Sequence, residues 1–360
     1  MTKKQLLLLL IVLLPVALFS QQPTAAFSAV DSFVSTVSYR NSLVDLTHKL
    51  TSPYPDQLRK ARAIFKWITE NIEYDYKYYN KYFYKGKEPK TFRCKNEQQC
   101  EAKRVVWEAA YIDKILRRKK AVCQGYAMLF KKMCDLAGLR SEYIVGYIRT
   151  EPYQVGTAGT LDHAWNAVWI DSAYHLLDAT WASGGCTKND DDKLLRFQKN
   201  YNDYYWLTPA AAFAKNHYPK NSQWSLLPQY TKDSFATNPY YQPGEIQNLQ
   251  LITPASGIIH AQKGDSIRFT IAYNGRFKDL QINTNIFRNP DIWVYDETRK
   301  RKKQRRLDTL ALKRQQYISY HRTGNVYAFD YVITDNALYY IDILFDRKRM
   351  LRYKVIIDNN

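Results

Sequence analysis

The stretch Ala121-Val122-Cys123-Gln124-Gly125-Tyr126-Ala127 decides the fold that this sequence predicts. A cysteine followed by glycine and by small or apolar residues is typical of a loop that turns into a helix. The run from Tyr126 to Leu139 continues with apolar residues at helical spacing. Cys123 would then lie at or near a helix N-terminus. Free N–H groups and the positive end of the helix dipole favour a thiolate there, and the thiolate is the nucleophile.

Two downstream segments supply the partners that such a nucleophile needs. They are Asp162-His163-Ala164-Trp165-Asn166 and Leu176-Leu177-Asp178-Ala179-Thr180-Trp181. A lone cysteine is usually a core residue, a lone histidine a satisfied polar group, and an aspartate at a strand end a turn or cap. In this order and this close together, they predict a nucleophile Cys123, a base His163 and an orienter Asp178.

These motifs resemble the transglutaminase-like cysteine-enzyme superfamily. The matching residues are C-Q-G-Y-A, D-H-A-W-N-A-V and L-L-D-A-T-W, with A-I-F-K-W-I at residues 63–68 upstream. The run His217-Tyr218-Pro219, with W-S-L-L at 224–227, is similar to the kyphoscoliosis-peptidase-type branch. The resemblance covers roughly residues 55–230 and implies an α+β, papain-like core. For His217 itself, packing is favoured over chemistry.

The chain divides into three parts by composition. Residues 1–20 have a basic start, a short apolar run and a small residue before a polar segment, which is typical of a signal peptide. Residues 21–238 form the predicted transglutaminase-like domain. After a linker marked by Pro239, Pro243 and Gly244, residues 245–360 contain short β-prone segments separated by turn residues. That spacing predicts a β-sandwich, and the resemblance implies an immunoglobulin-like one.

The charge balance indicates acidic partners. The 360 residues carry a formal net charge of +19, with a dense basic run at Arg299–Arg306. For an exported protein an anionic glycan or the cell-envelope surface is the expected charged partner, and nucleic acid is not expected. The aromatic and basic stretch Tyr74–Tyr84 could stack on bases or sugars, but a loop whose rings cover the core is favoured.

Five cysteines in an oxidising compartment leave at least one thiol unpaired. If Cys123 is the nucleophile, a local bridge between Cys94 and Cys100 is plausible, and a pair between Cys134 and Cys186 is a weaker alternative. The sequence has no Cys-x-x-Cys pair and no clustered histidines, so no zinc site and no cofactor are expected.

The predicted hairpin favours Asp178 over Asp162 as the partner of His163. We predict strands over His163–Ile170 and Tyr174–Thr180 around an Asp171-Ser172 turn, which pairs Ile170 with Ala173. His163 then faces Thr180, and Asp178 is its diagonal neighbour on the same face. Asp162 would point to the other face.

The sequence thus predicts a secreted or periplasmic enzyme that acts on amide bonds of a protein or peptide. Hydrolysis, as in a peptidase or amidase, is favoured over crosslinking. Gln124 and Trp165 are candidates for shaping the site, and the Cys123 N–H for binding the oxyanion. The competing hypothesis, from another class, is a non-catalytic surface or scaffold module that binds an acidic polymer through its basic face. The oligomeric state stays open.

The mature exported protein should begin near Gln21. The reason is the short apolar run followed by polar residues, and no cysteine follows it to accept a lipid. N-terminal sequencing of exported material checks this expectation, and recovery of Met1 would contradict it.

Overall fold

The structure, a computed structural model, describes residues 24–85, 93–189, 191–295 and 305–358. The predicted signal peptide at 1–20 and most of the basic run Arg299–Arg306 lie outside the described residues. Among the helices of these ranges, none has the length and apolar character that crossing a bilayer requires.

The described helices and strands are numbered here in chain order. The helices are α1 (Ser28–Ser35), α2 (Leu43–Thr51), α3 (Gln57–Asn71), α4 (Tyr76–Tyr79), α5 (Glu97–Arg118), α6 (Cys123–Leu136), α7 (Ala179–Ser183), α8 (Ala210–Phe213), α9 (Lys232–Ala236) and α10 (Thr309–Lys313). The strands are β1 (Glu73–Tyr74), β2 (Lys120–Ala121), β3 (Ser141–Ile148), β4 (Leu161–Ile170), β5 (Ala173–Leu177), β6 (Gly184–Lys188), β7 (Leu194–Lys199), β8 (His217–Pro219), β9 (Tyr240–Tyr241), β10 (Leu249–Thr253), β11 (Ile258–Ala261), β12 (Ser266–Tyr273), β13 (Leu280–Thr284), β14 (Trp293–Tyr295), β15 (Arg305–Leu307), β16 (His321–Thr323), β17 (Val326–Val332), β18 (Tyr340–Phe345) and β19 (Lys348–Ile357).

A four-stranded antiparallel sheet, in the order β5-β4-β3-β8, forms the scaffold of the N-terminal part. Helix α6 packs against it through fully buried Leu129 and Phe130. The Asn166 side chain on β4 donates to the carbonyl of Ala127 on α6 at 3.0 Å. This fixes the start of α6 relative to the strand that carries His163.

Within the segment Tyr74–Tyr84, Tyr74 lies on β1 and residues 76–84 are helical, so the predicted loop is wrong there. The Asp75 side chain accepts from the N–H of Tyr78 at 3.0 Å and caps α4, which continues into a π-helical turn over Asn80–Tyr84. Asn80 bonds both the carbonyl and the N–H of Leu194 on β7. The cap and this cross-link explain a helix that the tyrosine-rich composition conceals.

The hairpin after His163 agrees with the sequence only in part. Asp171 and Ser172 form the two-residue turn, both with positive φ (47° and 65°), and Ile170 pairs with Ala173 as predicted. The pairing ends at Leu177, because Asp178 leaves the strand to cap α7. The expectation that His163 faces Thr180 is therefore wrong.

Two sheets pack face to face in the C-terminal part, which confirms the β-sandwich. One has the order β10-β12-β17-β16 and the other β11-β19-β18-β13. Aromatic contacts join them: the Phe269 and Tyr353 rings are 5.3 Å apart, and those of Tyr273 and Phe345 are 5.1 Å apart. Strand β9, in the predicted linker, pairs with β19 and so connects the two parts of the chain.

One of the two predicted cysteine pairs forms in the structure, and the other does not. Cys94 and Cys100 form a disulfide, which confirms the local bridge, and Cys123 is free. The pair of Cys134 with Cys186 is wrong, since both are free. Cys134 belongs to the buried face of α6, whereas Cys186 lines a cleft.

Candidate active site

Cys123 is the first residue of α6 and follows Val122, whose extended backbone makes it the N-cap. The N–H groups of Gly125 and Tyr126 already donate to the carbonyl of Val122, which leaves those of Cys123 and Gln124 without an acceptor in the helix. Gly125 lets the first turn pack closely on α5, since a Cβ there would approach Ile115 Cδ1 to 2.7 Å. The Cys123 Sγ is 3.9 Å from the carbonyl oxygen of Asp162. The thiol therefore lies beside the residue that precedes His163.

His163 lies on β4 and is bound to Asp178. Its Nε2–H donates to Asp178 Oδ2 at 2.8 Å, and both side chains are buried. Burial by itself lowers the pKa of His163, but the charge and hydrogen bond of Asp178, with a smaller effect of Cys123, raise it to about 10. The other ring nitrogen, Nδ1, is left to face the thiol.

Asp178 follows the last residue of β5, caps α7 and binds the His163 imidazole. Its Oδ1 accepts from the N–H groups of Thr180 (2.8 Å) and Trp181 (3.1 Å), which caps α7, while Oδ2 faces His163. Burial raises the pKa of Asp178, but His163 and then His217 lower it below its usual range on balance. The carboxylate is therefore anionic at neutral pH despite being fully buried.

His217 is a second histidine on the same carboxylate, a contact that was not predicted from the sequence. Its Nε2 lies 3.3 Å from Asp178 Oδ2, and its Nδ1 lies 2.7 Å from Asn216 Oδ1. The ring also stacks on Phe213 with centroids 4.0 Å apart, so the predicted packing role is present as well. Burial is the main cause that lowers the pKa of His217 to about 4, which makes it neutral at pH 7. The H-Y-P motif was the available signal, but it lies 39 residues from Asp178.

His163, Asp178 and His217 also form a group that could offer three ligand atoms to a metal ion. These atoms lie within 4.8 Å of one another. The separations of 2.8 Å and 3.3 Å between the ring nitrogens and Oδ2 are those of hydrogen bonds between the residues themselves. The arrangement is accounted for by a hydrogen-bonded histidine–carboxylate–histidine network.

Asp162 lies at a β-bulge, which the alternation argument did not anticipate. Gly146 pairs with His163 and Tyr147 pairs with Leu161, so Asp162 is the extra residue between two ladder positions. Its carboxylate accepts from the Thr160 hydroxyl at 3.0 Å. Asp162 and His163 therefore line the same cleft, and the prediction that Asp162 points to the opposite face is wrong.

The cleft beside this network has a volume of about 440 Å³. Its walls combine aromatic rings with few charged groups, and Trp181 lies 5.3 Å from the His163 ring between centroids. Trp165 does not line it: its buried indole packs edge-on to His217, so it supports the site from beneath. Gln124 is exposed on the second position of α6. The aromatic members of the lining are Tyr74, Tyr79, Trp181 and Phe197.

Comparison with known proteins identifies a family similarity for the segment that carries these residues. Residues 41–183, which contain Cys123, His163 and Asp178, match the model of the transglutaminase-like domain. Human kyphoscoliosis peptidase is 32% identical over 243 residues, which are 66% of this chain and 32% of the human protein. A crystal structure of a TGase is similar at 17% identity over 45% of this chain and 34% of that chain, with a TM-score of 0.25.

The Lim and transglutaminase domain protein ltd-1 of Caenorhabditis elegans is 27% identical over 296 residues, 72% of this chain and 36% of that protein. The chain thus spans about a third of the length of these curated relatives. Residues 41–183 form a transglutaminase-like domain, and the chain is a transglutaminase-like relative of the kyphoscoliosis-peptidase type.

Proposed function

We propose that this protein cleaves amide bonds of a protein or peptide through Cys123, His163 and Asp178. The observation that carries the proposal is the buried hydrogen bond of 2.8 Å between His163 and Asp178, beside a free cysteine at a helix N-terminus. Nucleophile, base and orienter are the three parts that this chemistry needs. The family adds support at the level of the transglutaminase-like cysteine enzymes.

In this proposal the proton of the Cys123 thiol rests on Nδ1 of His163 before substrate is attacked, and Asp178 stabilises the resulting imidazolium. The Cys123 sulfur then attacks the amide carbon, and the C–N bond breaks as His163 returns the proton to the leaving amine. The product of this half-reaction is a thioester on Cys123. Water, deprotonated by His163, attacks the thioester carbon and the C–S bond breaks. This releases the carboxylic acid and regenerates Cys123 with the proton on His163.

In this reaction the N-terminus of α6 would stabilise the oxyanion, and the Asp178 carboxylate would stabilise the His163 imidazolium. The N–H of Cys123 lies at the positive end of α6 and is suited to the oxyanion of the tetrahedral intermediate. Asp178 stabilises the imidazolium, since its charge raises the pKa of His163 to about 10 against the opposing effect of burial. His217 holds the same carboxylate oxygen and would limit its rotation.

We propose water rather than an amine as the acceptor of the acyl group. We also propose a secreted or periplasmic location for the protein. A peptide substrate incubated with the protein and an excess of a primary amine should yield carboxylic acid rather than amine adduct by mass spectrometry. Asp178→Asn should lower the turnover by about 10²–10⁴-fold and leave residual activity, whereas Cys123→Ala should remove it. Amine adduct as the main product would make the protein a transferase.

Cys123 should be alkylated by iodoacetamide faster than the other two free thiols at neutral pH. The imidazolium of His163 stabilises its thiolate there, whereas burial raises the pKa of Cys186 to about 11 and that of Cys134 to about 12. Peptide mapping after timed alkylation measures all three, so Cys186, a thiol of the cleft lining outside the proposed triad, serves as an internal control. His163→Gln should remove the difference. Equal rates for Cys123 and Cys186 would favour the non-catalytic scaffold hypothesis.

The pKa of His163 should fall in Asp178→Asn. The carboxylate is what raises this pKa to about 10, so the wild-type imidazole stays charged through neutral pH and loses its proton only near that value. The introduced amide oxygen can still cap α7, which keeps the fold intact. NMR titration of the imidazole, assigned by its loss in His163→Gln, measures the midpoint. Asp162→Asn is the matched control, and a larger shift there would show that Asp162 is the orienter.

A further inference from the structure

Asp162 is a carboxylate in the cleft with no role in the proposed triad. It lines the same cleft as His163, it is solvent-exposed, and its side chain accepts a hydrogen bond from Thr160. Among the described residues, no lysine or arginine forms an ion pair with it. A carboxylate accepts through about four lone-pair sites, so most of its capacity remains for a ligand.

The other charges of the cleft do not offset Asp162. The lysine in the lining, Lys188, is already bound to Glu151, and its Nζ lies 3.6 Å from Asp192 Oδ1. The positive charge of His163 is paired with the negative charge of the buried Asp178. The cleft is thus locally acidic on a chain whose formal net charge is +19, and contributions beyond about 10 Å are screened at physiological salt.

The bulge explains why the carboxylate is available. In a regular strand, Asp162 and His163 would point to opposite faces of the sheet, and one of them would leave the cleft. The extra residue between the Gly146–His163 and Tyr147–Leu161 pairs turns both to the same side. The carbonyl of Asp162 is also 3.9 Å from the Cys123 sulfur, which places this residue next to the reacting atom.

We propose that Asp162 binds a lysine or arginine side chain of the peptide substrate, next to the amide that Cys123 attacks. This inference rests on the proposed function and adds the substrate class to it. The aromatic walls suit such a side chain, since its methylene stem packs on rings while the charged end reaches the carboxylate. Tyr79 and Trp181 are the rings of the lining that we assign to this contact.

Peptidyl acyloxymethyl ketones test the assignment without requiring turnover. Three reagents that carry Lys, Met or Glu at the position next to the ketone differ in charge, and Met matches the length of Lys without its charge. In the full chain, Cys123 should react with the Lys reagent about three- to tenfold faster than with the Met reagent, and most slowly with the Glu reagent. In Asp162→Asn the three rates should converge.

Two controls separate the possible results. Asp192→Asn makes the same change in net charge at the Lys188 pair and should keep the Lys preference; an equal loss there would overturn the role of Asp162. The iodoacetamide rate at Cys123 is measured in every variant and normalises the three reagent rates, because iodoacetamide carries neither a peptide nor a charge. A fast iodoacetamide reaction without any Lys preference overturns this inference alone, whereas an unreactive Cys123 overturns the proposed function and this inference with it.

Discussion

The Asp178 carboxylate is the group on which the site depends. Oδ1 binds two backbone N–H groups at the start of α7, and Oδ2 binds His163 and lies 3.3 Å from His217. A buried carboxylate without partners would be costly, and hydrogen bonds to both oxygens together with the imidazolium offset that cost. Because the backbone cap fixes the carboxylate, the carboxylate in turn fixes the orientation of the imidazole.

The surrounding rings make this network stiff. His217 stacks on Phe213 and meets the Trp165 indole edge-on, with ring centroids 4.0 Å and 5.1 Å apart. Gly146 permits this packing, since a Cβ there would lie 2.2 Å from the Trp165 ring. Trp165 on β4 and Phe213 on α8 thereby pack against His217 on β8, and Gly146 on β3 leaves room for the indole. Trp165 shapes the site by supporting it, which differs from a side chain that contacts substrate.

The sequence predicted what depends on local patterns. The helix that begins at Cys123 follows from apolar spacing over a single turn-to-helix segment, and the Asp171-Ser172 turn follows from the hairpin periodicity. The Asp178 cap was missed because a strand pattern and a cap signal overlap in L-L-D-A-T-W, and the cap prevailed. The His217 contact joins residues 39 positions apart, and a single sequence contains no pattern that reports such a pairing.

The bulge at Asp162 explains why side-chain alternation predicted this position wrongly, although alternation holds elsewhere in β4. Alternation describes β4 from His163 to Ile170, where every residue has a partner on β3 or β5 and residues 166–168 have one on each. A cleft beside a sheet edge needs consecutive residues on one side, and a regular strand cannot supply them. One extra residue meets that need at a small loss of ladder pairing. The break in side-chain alternation at the bulge is therefore the feature that brings the Asp162 carboxylate to the cleft.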